Sequence, residues 1–203
     1  DKTKNRILDK EILDMEHSGI SLESDLQKKF NQNSERLGDL STKFSNNVLD
    51  ATNKWFLILE EQSQIEGLPE RVLELMAISA KNHLKKDEKI DPKKGPWKLS
   101  LDIPTYTAFM TYGKNRNLRE SLYKAFVSRA SKGDENNNII IKEILDIRQQ
   151  QANLLGYESW ADLSLSTKMA TKIQNVEKLL EELRDPAYKT AKSELENLNK
   201  FAH

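Results

Sequence analysis

The sequence predicts a mainly helical, all-α protein, and three observations support this. Gly and Pro, with 7 and 5 of 203 residues, supply about half of their usual share of roughly 12%, so turns are few and helices are long. Apolar side chains recur every three or four residues through most of the chain. Only residues 56–59 and 97–101 have strand character. We therefore expect long antiparallel helices in a bundle-like lobe, with one short two-stranded β-hairpin.

The first two helices are predicted by periodicity and by their end signals. One covers about residues 4–17 and ends at Ser18-Gly19, because glycine adopts the left-handed conformation that ends helices. The second opens at Ser21 and continues to about Lys54, a rod about 50 Å long at 1.5 Å per residue. Its apolar residues form a seam typical of helix–helix packing, at Leu26, Phe30, Leu37, Leu40, Phe44, Val48, Ala51 and Trp55. Such a rod needs another helix along its length.

The middle of the chain contains the two candidate strands. Residues 56–59 either prolong the second helix or form a strand, because periodicity does not separate the two for so short a run. Residues 97–101 alternate in polarity between Gly95-Pro96 and Pro104, so they predict a strand that could pair with 56–59. Between them, Pro69 begins a helix that runs to about Leu84. A polar loop over residues 85–94 follows.

Further helices are predicted toward the C-terminus, punctuated by glycine. Their approximate bounds are residues 105–112, 118–131, 138–155 and 159–166. The last segment, from Ile173 onward, has helical spacing throughout but contains Pro186. Because proline removes a backbone donor and clashes with the preceding turn, this segment is either two helices or one kinked helix.

Composition excludes several classes of function. With 37% hydrophobic residues the chain can bury a core without disulfides or a structural metal, and it has no cysteine. Lys+Arg and Asp+Glu are both 32, so no net charge attracts nucleic acid or an anionic membrane. No run of 18 apolar residues occurs, and the first residues lack the apolar stretch of a secretory signal. We expect a cytoplasmic protein that binds neither nucleic acid nor membrane.

Residue types that carry catalysis are isolated in this sequence. His17, His83 and His203 each stand alone, and a zinc site needs three or four converging ligands. We therefore expect surface or helix-capping histidines. The acidic pairs at 60–61 and 181–182 point about 100° apart on a helix and are expected to be solvated. Phosphate-loop, dinucleotide and esterase motifs do not occur. We predict no catalytic, cofactor-binding or metal-binding residue in this chain.

Two charged features of the sequence each allow a structural interpretation and a functional one. The lysines of residues 85–98 outnumber the acids there and flank Trp97, which fits either a charged surface loop, our preferred interpretation, or contact with an anionic partner. Arg148 falls in an apolar row, so we expect it to pair with a carboxylate or carbonyl at a helix contact rather than with a ligand. That row comprises Ile141, Leu145, Arg148, Ala152 and Leu155.

Blocks of sequence spread over nearly the whole chain are distinctive as a set. They are residues 6–8 (RIL) through 18–20 (SGI), 40–52 (LSTKFSNNVLDAT), 67–69 (GLP), 99–106 (LSLDIPTY), 110–112 (MTY), 117–120 (NLRE), 125–131 (AFVSRAS), 153–157 (NLLGY) and 165–170 (LSTKMA). None is a chemical signature, but their order and spacing make coincidence a poor explanation. Together these blocks resemble the thimet oligopeptidase and oligopeptidase A family of zinc metallopeptidases.

The resemblance implies a helical protein whose two lobes flank a channel, where zinc-activated water cuts short peptides. The family's His-Glu-x-x-His motif and further glutamate ligand are implied to lie C-terminal to this region, and the chain lacks that motif. We expect an inactive N-terminal fragment of a zinc enzyme, residues 1–203, with sub-parts 1–55, 56–103 and 104–203. Its partners would be peptide substrates, through the full-length enzyme, and the missing catalytic lobe. The alternative is a stand-alone helical interaction module.

Two features at the ends of the chain favour the fragment over the module. Asp1 enters a helix almost at once without a starting methionine, and the last helix stops at His203 without a cap or polar tail. We also expect the fragment to expose apolar surface where the missing lobe would pack, or to cover it by self-association.

Overall fold

A computed structural model describes residues 1–84 and 91–202 and has a mainly helical fold, as predicted. The described residues form eight α-helices and two strands. In chain order these are α1 (Lys2–His17), α2 (Ser24–Lys54), β1 (Phe56–Leu59), α3 (Glu70–Leu84), β2 (Trp97–Ser100), α4 (Ile103–Tyr112), α5 (Arg116–Val127), α6 (Asn138–Leu154), α7 (Trp160–Ser166) and α8 (Ile173–Ala202). The predicted strand pair is confirmed, although α3 separates the strands in sequence, so they do not form a tight hairpin.

Most predicted bounds hold within a few residues, and two open questions are settled. Helix α8 is one helix with Pro186 inside it, so the two-helix alternative is wrong. Residues 56–59 form a strand and do not prolong α2. The predicted end of α5 near residue 131 is wrong, because Ala130 has a left-handed backbone with φ of 49°. An α-helix cannot continue through that conformation.

The structure divides into two compact units. One comprises residues 1–37 and 143–203, and the other comprises residues 38–142. The boundaries between these units fall inside α2 and α6. We call them the outer-segment unit and the central-segment unit, after their positions in the chain.

The central-segment unit contains the principal apolar core. Strands β1 and β2 pair antiparallel, with Leu57 opposite Leu99 and Leu59 opposite Trp97. The indole of Trp97 is fully buried and donates its Nε1–H to the carbonyl of Pro92 at 2.7 Å, so this large side chain is packed without an orphaned donor. The remaining buried core residues are Ile65, Leu68, Met76, Ala77, Leu101, Phe109 and Leu122.

A buried asparagine connects three segments of this unit. Asn137 accepts from Nδ2 of Asn47 at 2.8 Å and donates its own Nδ2–H to the carbonyl of Phe44 at 3.1 Å. Its backbone N–H donates to the carbonyl of Ala130 at 2.8 Å. Because these buried polar groups are paired, Asn137 stabilises the turn after α5 against the middle of α2.

Helix α6 buries a different face from the one predicted. Ile140, Ile147 and Ala152 are buried, whereas Ile141 and Leu145 are exposed. The predicted row was therefore wrong by one position at its N-terminal end. Three consecutive isoleucines, 139–141, offer more than one apolar stripe, and packing selects the stripe through Ile140.

In the outer-segment unit, α1 and α8 expose large apolar side chains. Helix α8 has no buried residue over its 30 residues, and α1 has none either. The exposed apolar residues are Ile7, Leu8, Ile12 and Met15 on α1, and Leu179, Leu180, Leu183, Tyr188, Leu195, Leu198 and Phe201 on α8. Among the described residues, no helix is both long enough and apolar enough to cross a bilayer.

Candidate functional site

The three histidines lie in unrelated surroundings. His83, near the end of α3, packs against the ring of Phe56 with ring centres 4.2 Å apart. His203 lies outside the described residues. His17, the last residue of α1, is half-buried and contacts two side chains that are distant in sequence. It is therefore the histidine around which we build a candidate site.

His17, Tyr157 and Ser166 form a hydrogen-bonded cluster in the outer-segment unit, which we call the His17 cluster. Nε2 of His17 lies 2.9 Å from the hydroxyl of Tyr157 and 3.4 Å from Oγ of Ser166. The rings of His17 and Tyr157 meet edge to face, with centres 5.6 Å apart. The Ser166 hydroxyl donates to the carbonyl of Leu163 at 2.6 Å, so toward the imidazole it can act only as an acceptor.

Features of the local sequence fix the position of each member of the cluster. Helix α1 ends where Ser18 caps it and Gly19 takes a φ of 79°. A Cβ at Gly19 would lie 2.8 Å from the ring of Phe30, so glycine allows the close approach of α1 to α2 within this unit. Tyr157 follows a second left-handed glycine after α6, and Ser166 is the last residue of α7. All three side chains therefore come from helix ends.

Two cavities border the His17 cluster. One, of about 170 Å³, lies between the end of α1 and the end of α6 and is lined by Leu22, Leu155 and Tyr157 among others. The other, of about 530 Å³, is lined by Phe30, Ser34 and Gln151 in addition to His17. Nε2 of Gln151 donates to Oγ of Ser34 at 2.8 Å, which fixes both polar groups on that wall.

The His17 cluster combines one imidazole with two hydroxyl groups. In the described part of the chain, no carboxylate hydrogen-bonds to His17, so nothing there orients it as a general base. Nor do the described residues contain a group of three or more His, Cys, Asp or Glu placed to hold a metal ion. The cluster offers hydroxyl and imidazole groups beside apolar walls, an arrangement that orients a bound ligand.

Three titratable groups of the central-segment unit, Asp102, Glu135 and Lys54, have shifted pKa values. Burial alone would raise the pKa of the Asp102 carboxyl, but hydrogen bonds from Ser100 and Thr105 outweigh it and hold that pKa below its usual value. A hydrogen bond with Lys54 lowers the pKa of Glu135, and the pKa of Lys54 rises in turn. These shifts arise from a helix cap and a surface ion pair, both structural roles.

Arg148 differs from our expectation. It is exposed, and its guanidinium carbon lies 5.3 Å from the ring centre of Trp160. Among the described residues its partner is therefore an aromatic ring, in a cation–π contact, and not a carboxylate or carbonyl. The acidic pairs at 60–61 and 181–182 are exposed, as predicted.

The lysine-rich segment is only partly described, because residues 85–90 lie outside the described residues. Lys93 pairs with Glu70 at 3.3 Å, and Nζ of Lys98 lies 4.8 Å from the ring centre of Phe56. For these residues the structure fits the preferred interpretation of a charged surface.

The sequence did not reveal the His17 cluster. Its members are separated by 140 and 149 residues, and no spacing rule connects positions so far apart. The available signals were indirect: both Tyr157 and Ser166 occur in blocks that carry the family resemblance, 153–157 and 165–170.

Comparisons with known proteins support that resemblance. A model of peptidase family M3 matches residues 109–203. The chain is 42% identical to a probable cytosolic oligopeptidase A of Arabidopsis thaliana over 99% of its length. It is 40% identical to the organellar oligopeptidase A of the same plant over 99% of its length, and 36% identical to oligopeptidase A of Escherichia coli over 98%.

In each case the match covers only part of the relative. The chain spans 28%, 25% and 29% of these three proteins, respectively. The similarity therefore extends through the whole chain and through a quarter or slightly more of each relative. The chain belongs to the thimet oligopeptidase and oligopeptidase A family of M3 peptidases.

Proposed function

We propose that the chain is the N-terminal helical part of a zinc-dependent metalloendopeptidase that hydrolyses short oligopeptides. In this proposal the segment contributes a wall of the substrate channel and is not itself catalytic. The observation that carries it is identity of 35–42% to oligopeptidases A over essentially the whole chain, which spans about 28% of their length. Most of such an enzyme, and with it the catalytic lobe, would lie outside this segment.

The residues present do not fit a zinc site. Within residues 1–84 and 91–202 no three potential ligands are grouped, and His17 engages hydroxyls. Zinc peptidase sites need three protein ligands and an open position for water. We therefore place the zinc ligands of the parent enzyme in the part of it that this segment does not include.

The exposed apolar faces of α1 and α8 support a segment that packs against more protein. Phe201 is 91% exposed, and leucines recur along α8 at Leu179, Leu183, Leu195 and Leu198 without being buried. Large apolar side chains exposed repeatedly along a helix are costly in water and are typical of an interface. In the proposal, the remainder of the parent enzyme covers it.

We propose the cytoplasm as its location and a peptide as its ligand. The names of the two plant relatives assign one to the cytosol and the other to chloroplasts or mitochondria, so family membership leaves the compartment open. The balanced charge of the chain, 32 basic and 32 acidic residues, supports the expectation that neither nucleic acid nor a membrane is its partner.

The zinc content of two gene products tests this proposal. One product is this chain, and the other is the same gene expressed through its natural stop codon. After dialysis, elemental analysis is expected to find zinc bound to the longer product and none above background on this chain. A gene that ends close to His203, or a longer product without zinc, would instead establish the stand-alone interaction module.

A further inference from the structure

A third cavity of the outer-segment unit is lined by cations and hydroxyls, and Ser166 is the one member of the His17 cluster among its lining residues. It has a volume of about 690 Å³ and lies between α1 and the loop that joins α7 to α8. We propose that this cavity binds the terminal carboxylate of a short peptide. Its lining residues are Arg6, Lys10, Leu13, Asp14, Ser166, Thr167, Lys168, Met169 and Thr171.

Three cationic side chains and one carboxylate line this cavity. Arg6 and Lys10 lie one helical turn apart on α1, and Lys168 follows α7. In the part of the chain that the structure describes, none of the three is within 4.0 Å of an acidic side chain, and Nζ of Lys168 donates to the neutral Oγ of Ser164 at 2.7 Å. Cations grouped without acidic partners favour an anionic ligand.

Hydroxyl groups complete the lining. Among the described residues, the side chains of Thr167 and Thr171 have no hydrogen-bond partner, so both can donate to an oxyanion. The Ser166 hydroxyl is already engaged with Leu163. The two hydroxyls and the three cations together supply enough donors for a carboxylate, which accepts up to about four hydrogen bonds.

The backbone of this loop is strained at the cavity. Thr171 has a φ of 52°, which is rare for a β-branched residue. Such strain persists where the surrounding structure imposes it, and it is concentrated in ligand-binding segments. The Thr171 side chain lines the cavity, as does that of Lys168.

The size and the apolar part of the cavity indicate a peptide rather than a small inorganic anion. A volume of about 690 Å³ exceeds what one phosphate or carboxylate fills, and falls in the range of sites for larger ligands. Met169 is fully exposed at the edge, and Leu13 is half-buried in the wall. Their side chains can contact the last side chain of a peptide whose carboxylate lies among the cations. The choice of a peptide rests on the proposed function, whereas the anion site rests on the lining residues alone.

Calorimetric titration of the full 203-residue chain tests the inference. The probe is an N-acetylated alanine hexapeptide that ends in leucine, used once with a free terminal carboxylate and once as the terminal amide. We expect the free acid to bind about threefold to tenfold more tightly, because charge-assisted hydrogen bonds at an exposed site are partly screened. Inorganic phosphate is titrated as the alternative source of an oxyanion.

Matched charge variants locate the site. K10M and K168M are each expected to weaken binding of the free acid about threefold to tenfold. K4M removes the same charge from the same helix as K10M, but Lys4 lies about 240° around α1 from Lys10. The affinity of the K4M variant for the free acid is therefore expected to change less than about twofold. Circular dichroism checks that each variant keeps its helix content.

Three outcomes would overturn the inference: equal affinity for acid and amide, equal weakening by K4M and K10M, or tighter binding of phosphate than of the free acid. The titration measures binding without cleavage. A longer product that is an active peptidase, together with a chain that does not distinguish acid from amide, refutes the carboxylate site and leaves the proposed function standing. Acid-selective binding by this chain, together with a longer product that has no peptidase activity, would support the carboxylate site and refute the proposed function.

Discussion

The hydroxyl of Tyr157 should stabilise the outer-segment unit through His17. In Y157F the edge-to-face ring contact, with centres 5.6 Å apart, remains, and only the 2.9 Å contact between the hydroxyl and Nε2 of His17 is lost. A hydrogen bond of this kind contributes about 0.5–1.5 kcal/mol. Oγ of Ser166, 3.4 Å from the same nitrogen, offers a partial replacement. We therefore expect Y157F to lower the free energy of unfolding by about 1 kcal/mol.

Replacing the imidazole should cost more, because both kinds of contact are lost. H17A removes the hydrogen bond and the ring contact, and aromatic pairs contribute about 0.5–1.5 kcal/mol beyond area burial. The expected loss is about 2 kcal/mol, roughly twice that of Y157F. The difference between the two variants therefore separates the hydrogen bond from the ring contact.

Urea unfolding followed by circular dichroism measures these losses, with the m-value confirming that the exposed surface is unchanged. Y123F is the matched control, since Tyr123 on α5 is half-exposed and, among the described residues, its hydroxyl has no hydrogen-bond partner. It should change stability by less than about 0.5 kcal/mol. A Y157F variant as stable as Y123F would refute the role assigned to the His17 cluster.

Three further predictions concern backbone conformation, acid sensitivity and a buried amide. G67A should destabilise by more than about 2 kcal/mol, because Gly67 has a φ of 91° and a Cβ there would lie 2.3 Å from the carbonyl oxygen of Tyr112. G38A, inside α2 with open space around the new methyl, should stabilise by about 0.5–1 kcal/mol in the same thermal-unfolding assay, and the reverse order would contradict this account. Since the folded pKa of Asp102 lies below its unfolded value, its charge stabilises at neutral pH and that contribution is lost as pH falls through the acidic range. D102N keeps a capping side chain but lacks the charge. Its loss of stability relative to the wild type, measured by urea unfolding, should therefore shrink on acidification, and a difference that does not depend on pH would contradict the stabilising role of the charge. Nδ2 of Asn33 is buried without a partner in the described residues, so N33L should match or exceed the wild-type melting temperature, whereas a marked loss would reveal a missed hydrogen bond.

Elements whose cause is local were predictable from the sequence. Helix α1 could be assigned from apolar spacing and from Gly19, and the strand around Leu99 from alternation between prolines. The end of α5 was missed because Ala130 adopts a left-handed conformation without the glycine that normally signals it. The buried face of α6 was misassigned because three adjacent isoleucines make the stripe ambiguous.

The candidate site depends on contacts that local rules do not contain. Tyr157 meets His17 only because α1 and the end of α6 pack together within the outer-segment unit, 140 residues apart in sequence. Arg148 was correctly expected to have a partner, but the partner is the ring of Trp160, twelve positions later and beyond a turn. Only the resemblance, which comes from whole blocks of sequence, indicated the family.

Peptidase activity tests directly whether this chain is the non-catalytic part of a zinc peptidase. A quenched fluorescent oligopeptide is incubated with added zinc and either this chain or the product expressed through the natural stop codon, and a chelator-treated sample of the longer product is the control. We predict cleavage by the longer product alone, abolished by the chelator. Cleavage by this chain itself would contradict the claim that it is non-catalytic, and no cleavage by either product would contradict the peptidase assignment.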